Sequence, residues 1–460
     1  MISIRGWYRF LTQCVFFVCI VASGNAQVIS LSDFLAAVER THPALRAAQF
    51  EPELAEAEIR NALGGFDPVL NSLVEYKDKG GTDKVNAIDA SIELPIDMLF
   101  GPKVKAGYTR GLGFQINPER TTAIAGEASL GVSVPLFQGI FTDTRRNTLR
   151  KAFLRPDMAQ AQFRQERNNL LRAAAFAYWN WSEAERTVFV ADTLVTLAEQ
   201  RMSQITRRAA AGEVAPIDSI EMAQEVLRRA GERFRALRLA ESARIEASVF
   251  LWTADGVGRA LEGIPEDLPS LQTTIETEAE YLQRARTLRP EIRRAEVLQQ
   301  TARLDQDLAR EFMRPFIEAE AAMITYDLGA GITPDIKFGL RINQPLLFRS
   351  ASARNQVADI TTQRADLQRN IIERNIDADV QNSVVAVRRA NERLEAALSE
   401  VRLAGRMVEA EARRLVAGEA NLLTLNLRER FYAEALLRQL SAQADLVRSA
   451  VLLRWATGSL

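Results

Sequence analysis

Two periodicities share this chain, and they occur in the same order twice. From Phe163, apolar residues recur in steps of four and three through Leu170, Ala174, Ala177, Trp181, Ala184, Val188, Ala191, Val195, Ala198, Met202, Ile205 and Ala209. Only Arg167 is out of pattern. A second series runs through Ile376, Val380, Ser383, Val387, Ala390, Leu394, Ala397, Val401, Ala404, Val408, Glu411 and Leu415. A strict seven-residue repeat predicts helices packed as a coiled coil. Residues 157–210 contain neither Pro nor Gly, so one helix of roughly 80 Å is expected there. It must end at Gly212, and its counterpart at Gly418, where glycine suits a left-handed cap. Pro216 fits the first turn of the next helix. Return seams over 217–253 and 421–455 make each half end in an antiparallel helical hairpin.

Ahead of each long helix the period changes to two. Ala128, Leu130, Val132, Val134 and Leu136 alternate with Glu127, Ser129, Gly131 and Ser133. Ile317, Ala319, Ala321 and Met323 oppose Glu318 and Glu320, and Ile336, Phe338, Leu340 and Ile342 oppose Lys337, Gly339, Arg341 and Asn343. These are strands with one apolar and one polar face. The pattern fits an outer-membrane barrel, apolar to lipid and polar to a lumen, and equally a soluble half-buried sheet.

The two halves match by position. Pro43 and Pro68 pair with Pro290 and Pro315 at an offset of 247. Pro135-Leu136-Phe137 pairs with Pro345-Leu346-Leu347 at 210, and Ala211-Gly212-Glu213 with Ala417-Gly418-Glu419 at 206. Trp252 with Gly256, and Trp455 with Gly458, close the halves. Such self-similarity marks a duplicated architecture. The offset drops by 37 residues between Pro68 and Pro135, so the first half carries an insertion. Residues 84–115, with turn signals at Gly80-Gly81 and Gly101-Pro102, form either extra strands of the same sheet or a hairpin beside it. Four strands, or six with the insertion, are too few for one chain to close a membrane barrel, for which about eight are needed. Several chains must share one.

Residues 1–26 read as a secretory leader: Arg5 and Arg9, an apolar run over Leu11–Ala22, and Gly24-Asn25-Ala26 at the cleavage site. The run is too short for a membrane anchor. Cleavage takes both cysteines, Cys14 and Cys19, and moves the net charge from −1 to −3. No later run of 18 apolar residues exists, so any membrane span must be a closed barrel of strands. The charge is too small to steer nucleic acid, and arginine pairs such as Arg388-Arg389 are interleaved with acids. His42 is the only histidine, and no Cys/His cluster suits zinc. No phosphate-binding glycine loop comes after a strand. No catalytic residue, metal or cofactor is expected. Trp181 lies on the seam, while Trp252 and Trp455, at equivalent ends of the return helices, fit packing between the halves better than a place near the membrane interface.

These segments resemble the TolC-like outer-membrane factors. Leu31 through Pro43-Ala44-Leu45-Arg46, and Tyr281 through Pro290-Glu291-Ile292-Arg293, look like that family's paired opening helices. Pro135-Leu136-Phe137 and Pro345-Leu346-Leu347-Phe348 look like its strand-ending motif. The likeness covers about residues 30–458. It implies a mainly α protein with β: duplicated long coiled-coil helices forming an α-barrel, and strands contributing to a shared trimeric transmembrane β-barrel of twelve strands. It further implies an outer-membrane efflux or type I secretion channel with a long periplasmic extension, docked to a periplasmic adaptor and an inner-membrane pump. Adaptor-docking tips would be Ala211, Gly212, Glu213 and Val214 with Ala417, Gly418, Glu419 and Ala420. The family's best-known members ring the periplasmic constriction with acids, but here Thr424 and Leu427 stand where carboxylates are expected. Asp218, Asn421, Leu423, Thr424 and Leu427 are therefore the candidate gate. The expected organisation is a leader over 1–26, a first repeat over 27–256 with strands in about 68–136, a linker over 257–277, and a second repeat over 278–460 with strands in about 315–347. The alternative is a periplasmic coiled-coil adaptor or spacer.

Overall fold

The computed structural model describes residues 28–78, 80–81, 83–113, 120–269, 276–326, 334–417, 419 and 422–460. The expected leader with Cys14 and Cys19, and Gly418, Ala420 and Asn421, lie outside the described residues.

Each half opens with a short run of helices, the second of which starts on a proline. In the first, α1 (Leu31–Thr41), α2 (Pro43–Ala48) and α3 (Glu51–Leu63) lead to strand β2 (Val69–Asp78). In the second, α7 (Glu278–Leu288) and α8 (Pro290–Glu311) lead to β7 (Phe316–Thr325) and β8 (Asp335–Asn343). Pro43 and Pro290 both sit in a first helical turn, where their missing N–H costs nothing. The residues before them, His42 and Arg289, take the same extended conformation, as a following proline requires. The His42 imidazole also caps α2, accepting from the Ala44 N–H at 3.2 Å.

The insertion joins the sheet. Strands β3 (Asp83–Pro95) and β4 (Lys103–Leu112) lie between β2 and β5 (Glu127–Pro135), giving one antiparallel sheet in the order β2-β3-β4-β5-β7-β8. Gly80 and Gly81 both have positive φ, the backbone that a tight hairpin turn between β2 and β3 needs. Residues paired across an antiparallel ladder point to the same side. Leu70, Ile92, Ala106, Leu130, Met323 and Ile336 therefore form one unbroken apolar row across all six strands. A second row holds Leu94, Val104, Val132, Ala321 and Phe338. The opposite face carries Glu93, Lys105, Gly131, Ala322 and Lys337. The apolar side faces outward with nothing packed on it: Leu70 and Ile336 are each 68% exposed and Phe338 79%. At about 3.3 Å per residue, strands of this length cover roughly the 30 Å of a hydrocarbon layer. Both outer strands, β2 and β8, leave an edge without a strand partner among the described residues.

Beyond the sheet the chain is helical. After α4 (Thr144–Ala152), α5 (Arg155–Ala210) returns as α6 (Pro216–Ser248), and α9 (Arg349–Val416) returns as α10 (Leu422–Ala456). α9 is one helix where α4 and α5 are two. Pro156, near the start of α5, interrupts the first copy, and α9 contains no proline. At 1.5 Å per residue, α5 and α9 run about 84 and 102 Å. The predicted seam of α9 is buried from Ile376 through Ala397. On α5 the single-stripe expectation is too narrow in the middle. Leu171, Ala175, Tyr178 and Ser182 are buried beside the seam, because α1 and α10 also pack there around Phe34, Val38 and Val447. No helix among the described residues is long and apolar enough to cross a membrane.

The two halves are tied at this waist. Short strands β1 (Val28–Ile29) and β6 (Ile264–Pro265) pair in parallel, so the expected linker packs back onto the start of the chain. The Tyr178 hydroxyl donates to Ile29 O at 2.6 Å and accepts from the Glu266 N–H at 3.0 Å. Arg167, the exception in the seam, pairs with Glu39 at 2.6 Å and donates to Leu460 O at 2.8 Å. Trp455 lies between the Arg172 and Arg289 guanidiniums, 4.2 and 4.5 Å from its ring, and its indole donates to Asn169 at 2.9 Å. This is packing between repeats, with cation–π attraction on both ring faces. Trp252 meets the His42 ring edge-on at 6.1 Å.

Candidate functional site: the helix tips and the ion cluster behind them

The first tip closes by backbone geometry alone. Ala211 ends the helix, Gly212 takes φ +73°, and the Gly212 and Glu213 N–H groups donate to Ala209 O and Arg208 O at 3.0 and 2.9 Å. These two bonds satisfy carbonyls that the helix leaves unpaired, and the left-handed position they require selects glycine. The second tip repeats the bond that spans five residues, Glu419 N–H to Arg414 O at 2.9 Å, beyond Ala417. Arg208 also pairs with Glu213 at 3.1 Å, while Arg414 donates to Glu419 O at 3.3 Å. Ala211, Gly212, Glu213, Ala417 and Glu419 are exposed. Val214 turns inward to a small core of Met202, Ile205 and Met222 that also receives Leu415 of α9. The two tips therefore sit side by side.

The candidate gate residues divide. Asp218 is in the first turn of α6, where the positive end of the helix favours an acid. Leu423 and Leu427 are exposed, Thr424 is half-buried, and Leu425 between them is buried. The Asn426 amide contacts Met222 Sδ at 3.4 Å, so α10 meets α6 one turn from Asp218.

Behind the tips lies a group that sequence reasoning misses. Glu429 of α10 is 4% exposed and faces Arg201 of α5 at 2.8 Å and Arg229 of α6 at 3.8 Å. Arg229 is itself buried, pairs with Glu225 at 2.7 Å and donates to Leu194 O at 3.1 Å. Burial pushes the Glu429 carboxyl above the ordinary carboxylate range, against the pull of Arg201 and Arg229. Burial acts the same way on Glu225, but hydrogen bonds from Arg228 and Arg229 outweigh it and hold that carboxyl below its ordinary value. One buried cluster thus joins the first hairpin to the second, a few turns from both tips. Its only sequence signal is an acid at the buried position of a helix. Among the described residues no three His, Cys, Asp or Glu side chains cluster as a metal site.

With strands, waist and tips in place, the fold matches that of solved outer-membrane channels. The chain superposes on the outer-membrane channel OprN at TM-score 0.68 and 17% identity, covering 94% of this chain and 90% of that one. The Campylobacter jejuni CmeC channel gives 0.66 at 12% identity, with 93% and 85% covered. The open state of the Neisseria gonorrhoeae MtrE channel gives 0.64 at 18%, with 93% and 88% covered. At these identities the likeness concerns the fold. No protein-family model and no curated protein sequence matches the chain.

Breaking the cluster should loosen the tips locally. Glu429→Ala leaves Arg229 buried with Glu225 as its remaining partner, so the cost should be about 2 kcal/mol, below the 3–5 typical of a stranded buried charge. Hydrogen exchange should quicken about thirtyfold in the tip turns of α6 and α10, with the waist around Trp181 unchanged. Unchanged exchange at the tips would mean the cluster does not hold the hairpins together.

Proposed function

We propose that this chain is one protomer of a trimeric outer-membrane duct that conducts cargo from an inner-membrane pump, through a periplasmic adaptor, to the exterior. The observation that carries the reading is the single apolar face shared by six strands whose two edges stay open. In lipid, an unpaired edge costs several kcal/mol for each exposed N–H or C=O. Edge β2 of one protomer therefore pairs with edge β8 of the next until the wall closes. Their opposite directions make that pairing antiparallel, like every other in the sheet. The helices continue the wall as a periplasmic tunnel. Cargo moves through it without chemical change, and no cofactor takes part.

The exposed tip residues Ala211, Gly212, Glu213, Ala417 and Glu419, with Val214 just inside and with Gly418 and Ala420, the residues on either side of Glu419 in sequence, form the surface that the adaptor grips. Asp218, Asn421, Leu423, Thr424 and Leu427 form the constriction at the same end. The Glu429 cluster holds the two hairpins together, and opening is their separation into a second packed arrangement.

Two measurements test this reading. Protein extracted from fractionated outer membranes should have the mass of a trimer by light scattering after correction for detergent. A water-soluble monomer or dimer from the periplasm would replace the duct by an adaptor or spacer. In planar bilayers, Leu427→Asp should raise single-channel conductance and cation selectivity severalfold, because a ring of three carboxylates replaces three apolar side chains. No change in either would remove Leu427 from the pore.

A further inference from the structure

We infer that the β3–β4 hairpin is part of the transmembrane wall, so that three protomers close a barrel of eighteen strands rather than twelve. The inference rests on the trimeric duct proposed above and adds the size of its outer opening.

The first support is continuity. β2 and β5, the strands that match β7 and β8 of the second half, are not paired with each other; β3 and β4 lie between them, β4 pairing with β3 along its whole length and with β5 over Lys103–Thr109. The inserted strands also keep the pleat of their neighbours. Ile92 and Ala106 fall in the apolar row, and Glu93 and Lys105 in the polar one. A hairpin lying outside the membrane has no reason to match that alternation. Removing it from the wall would leave β2 and β5 to find a pairing the structure does not have.

The second support is an anchor at the foot of the hairpin. Arg146 of α4 is 4% exposed and donates to Met98 O at 3.3 Å in the β3–β4 loop, to Ile140 O at 3.1 Å, to Gly139 O, and to the Asp143 carboxylate at 3.0 Å. The Phe100 N–H donates to Ile140 O at 3.3 Å. The loop is thus fixed to the same helix start that comes after β5. On the polar face, Lys103 pairs with Glu93 at 3.3 Å, and Arg120 reaches back to Asp89 at 2.6 Å and Glu75 at 3.3 Å.

Strand number sets barrel width. With strands about 4.8 Å apart and tilted about 40°, twelve give a backbone radius of roughly 12 Å and eighteen roughly 18 Å. Side chains leave a bore on the order of 25 Å in the wider case. Such an opening does not sort small molecules. Selection by size then falls on the helical tunnel and its tips, and the outer section accepts cargo as bulky as a polypeptide.

Spin labels at four single cysteines test this in trimers reconstituted into lipid vesicles. The chain's two cysteines both precede residue 27. Labels at Ile92→Cys and Ala106→Cys should be accessible to dissolved oxygen and shielded from a water-soluble nickel chelate. Labels at Ser91→Cys and Lys105→Cys should show the reverse, with the accessibility ratio changing severalfold between adjacent positions. Electron microscopy of the unlabelled trimer should count eighteen strands. Water access at all four sites, or twelve strands in an outer-membrane trimer, would overturn the inference and leave the duct standing. Absence of any outer-membrane trimer would overturn both.

Discussion

A β-strand edge in a medium without water must find a partner, and this chain has two edges that it cannot join to each other. Six strands of similar length present apolar side chains on one side and charged or small ones on the other. That surface is unfavourable in water and favourable against hydrocarbon at about 25 cal/mol per Å². Much of the architecture answers this constraint. In the proposed wall, more copies complete the barrel, the polar face encloses a space, and the helices leave the sheet on the same side. The proposed symmetry of the assembly thus begins in unpaired backbone groups rather than in any single side chain.

Duplication places the helices. Each half enters through a proline-started helix and leaves through a coiled-coil hairpin, and the waist locks the halves together. Trp455, clamped between Arg172 and Arg289, joins α5 to the start of α8. Tyr178 ties Ile29, and Arg167 ties Leu460, to α5. Toward the tips the burial thins to Ala198, Ile205, Met222 and Leu425, and buried charge supplements apolar packing. Ion pairs there are a weaker and more reversible bond than the waist core, because desolvation offsets much of their attraction. Rigidity at the waist and looser packing at the tips is the gradient a duct needs if it opens at one end.

The helices and their seams are readable from the chain because periodicity is a local property. Ile376, Val380, Val387 and Leu394 repeat at heptad spacing and are buried. The tip at Gly212 is readable for the same reason, since a left-handed cap depends on one residue and its neighbours. The place of residues 83–112 in the sheet is not readable in this way. Ile88, Ala90, Ile92 and Leu94 alternate well enough, but alternation does not name a pairing partner. Lying between β2 and β5 is a fact about register over many residues. The Glu429 cluster is invisible for a related reason. Arg201, Arg229 and Glu429 come from three helices, and their meeting depends on how those helices are rotated. Arg167 is visible as an exception to the seam, though not as the partner of Glu39 and Leu460.

Hydrogen exchange of the purified assembly in detergent, resolved to the individual strands, tests the central claim most directly. If copies close the wall, amides of residues 70–77 in β2 and 335–342 in β8 exchange as slowly as those of 104–109 in β4, which have a partner on both sides within one chain. Fast exchange confined to the outward-facing amides of β2 and β8, with β4 protected, would show that the edges remain open and that the sheet is not part of a closed barrel.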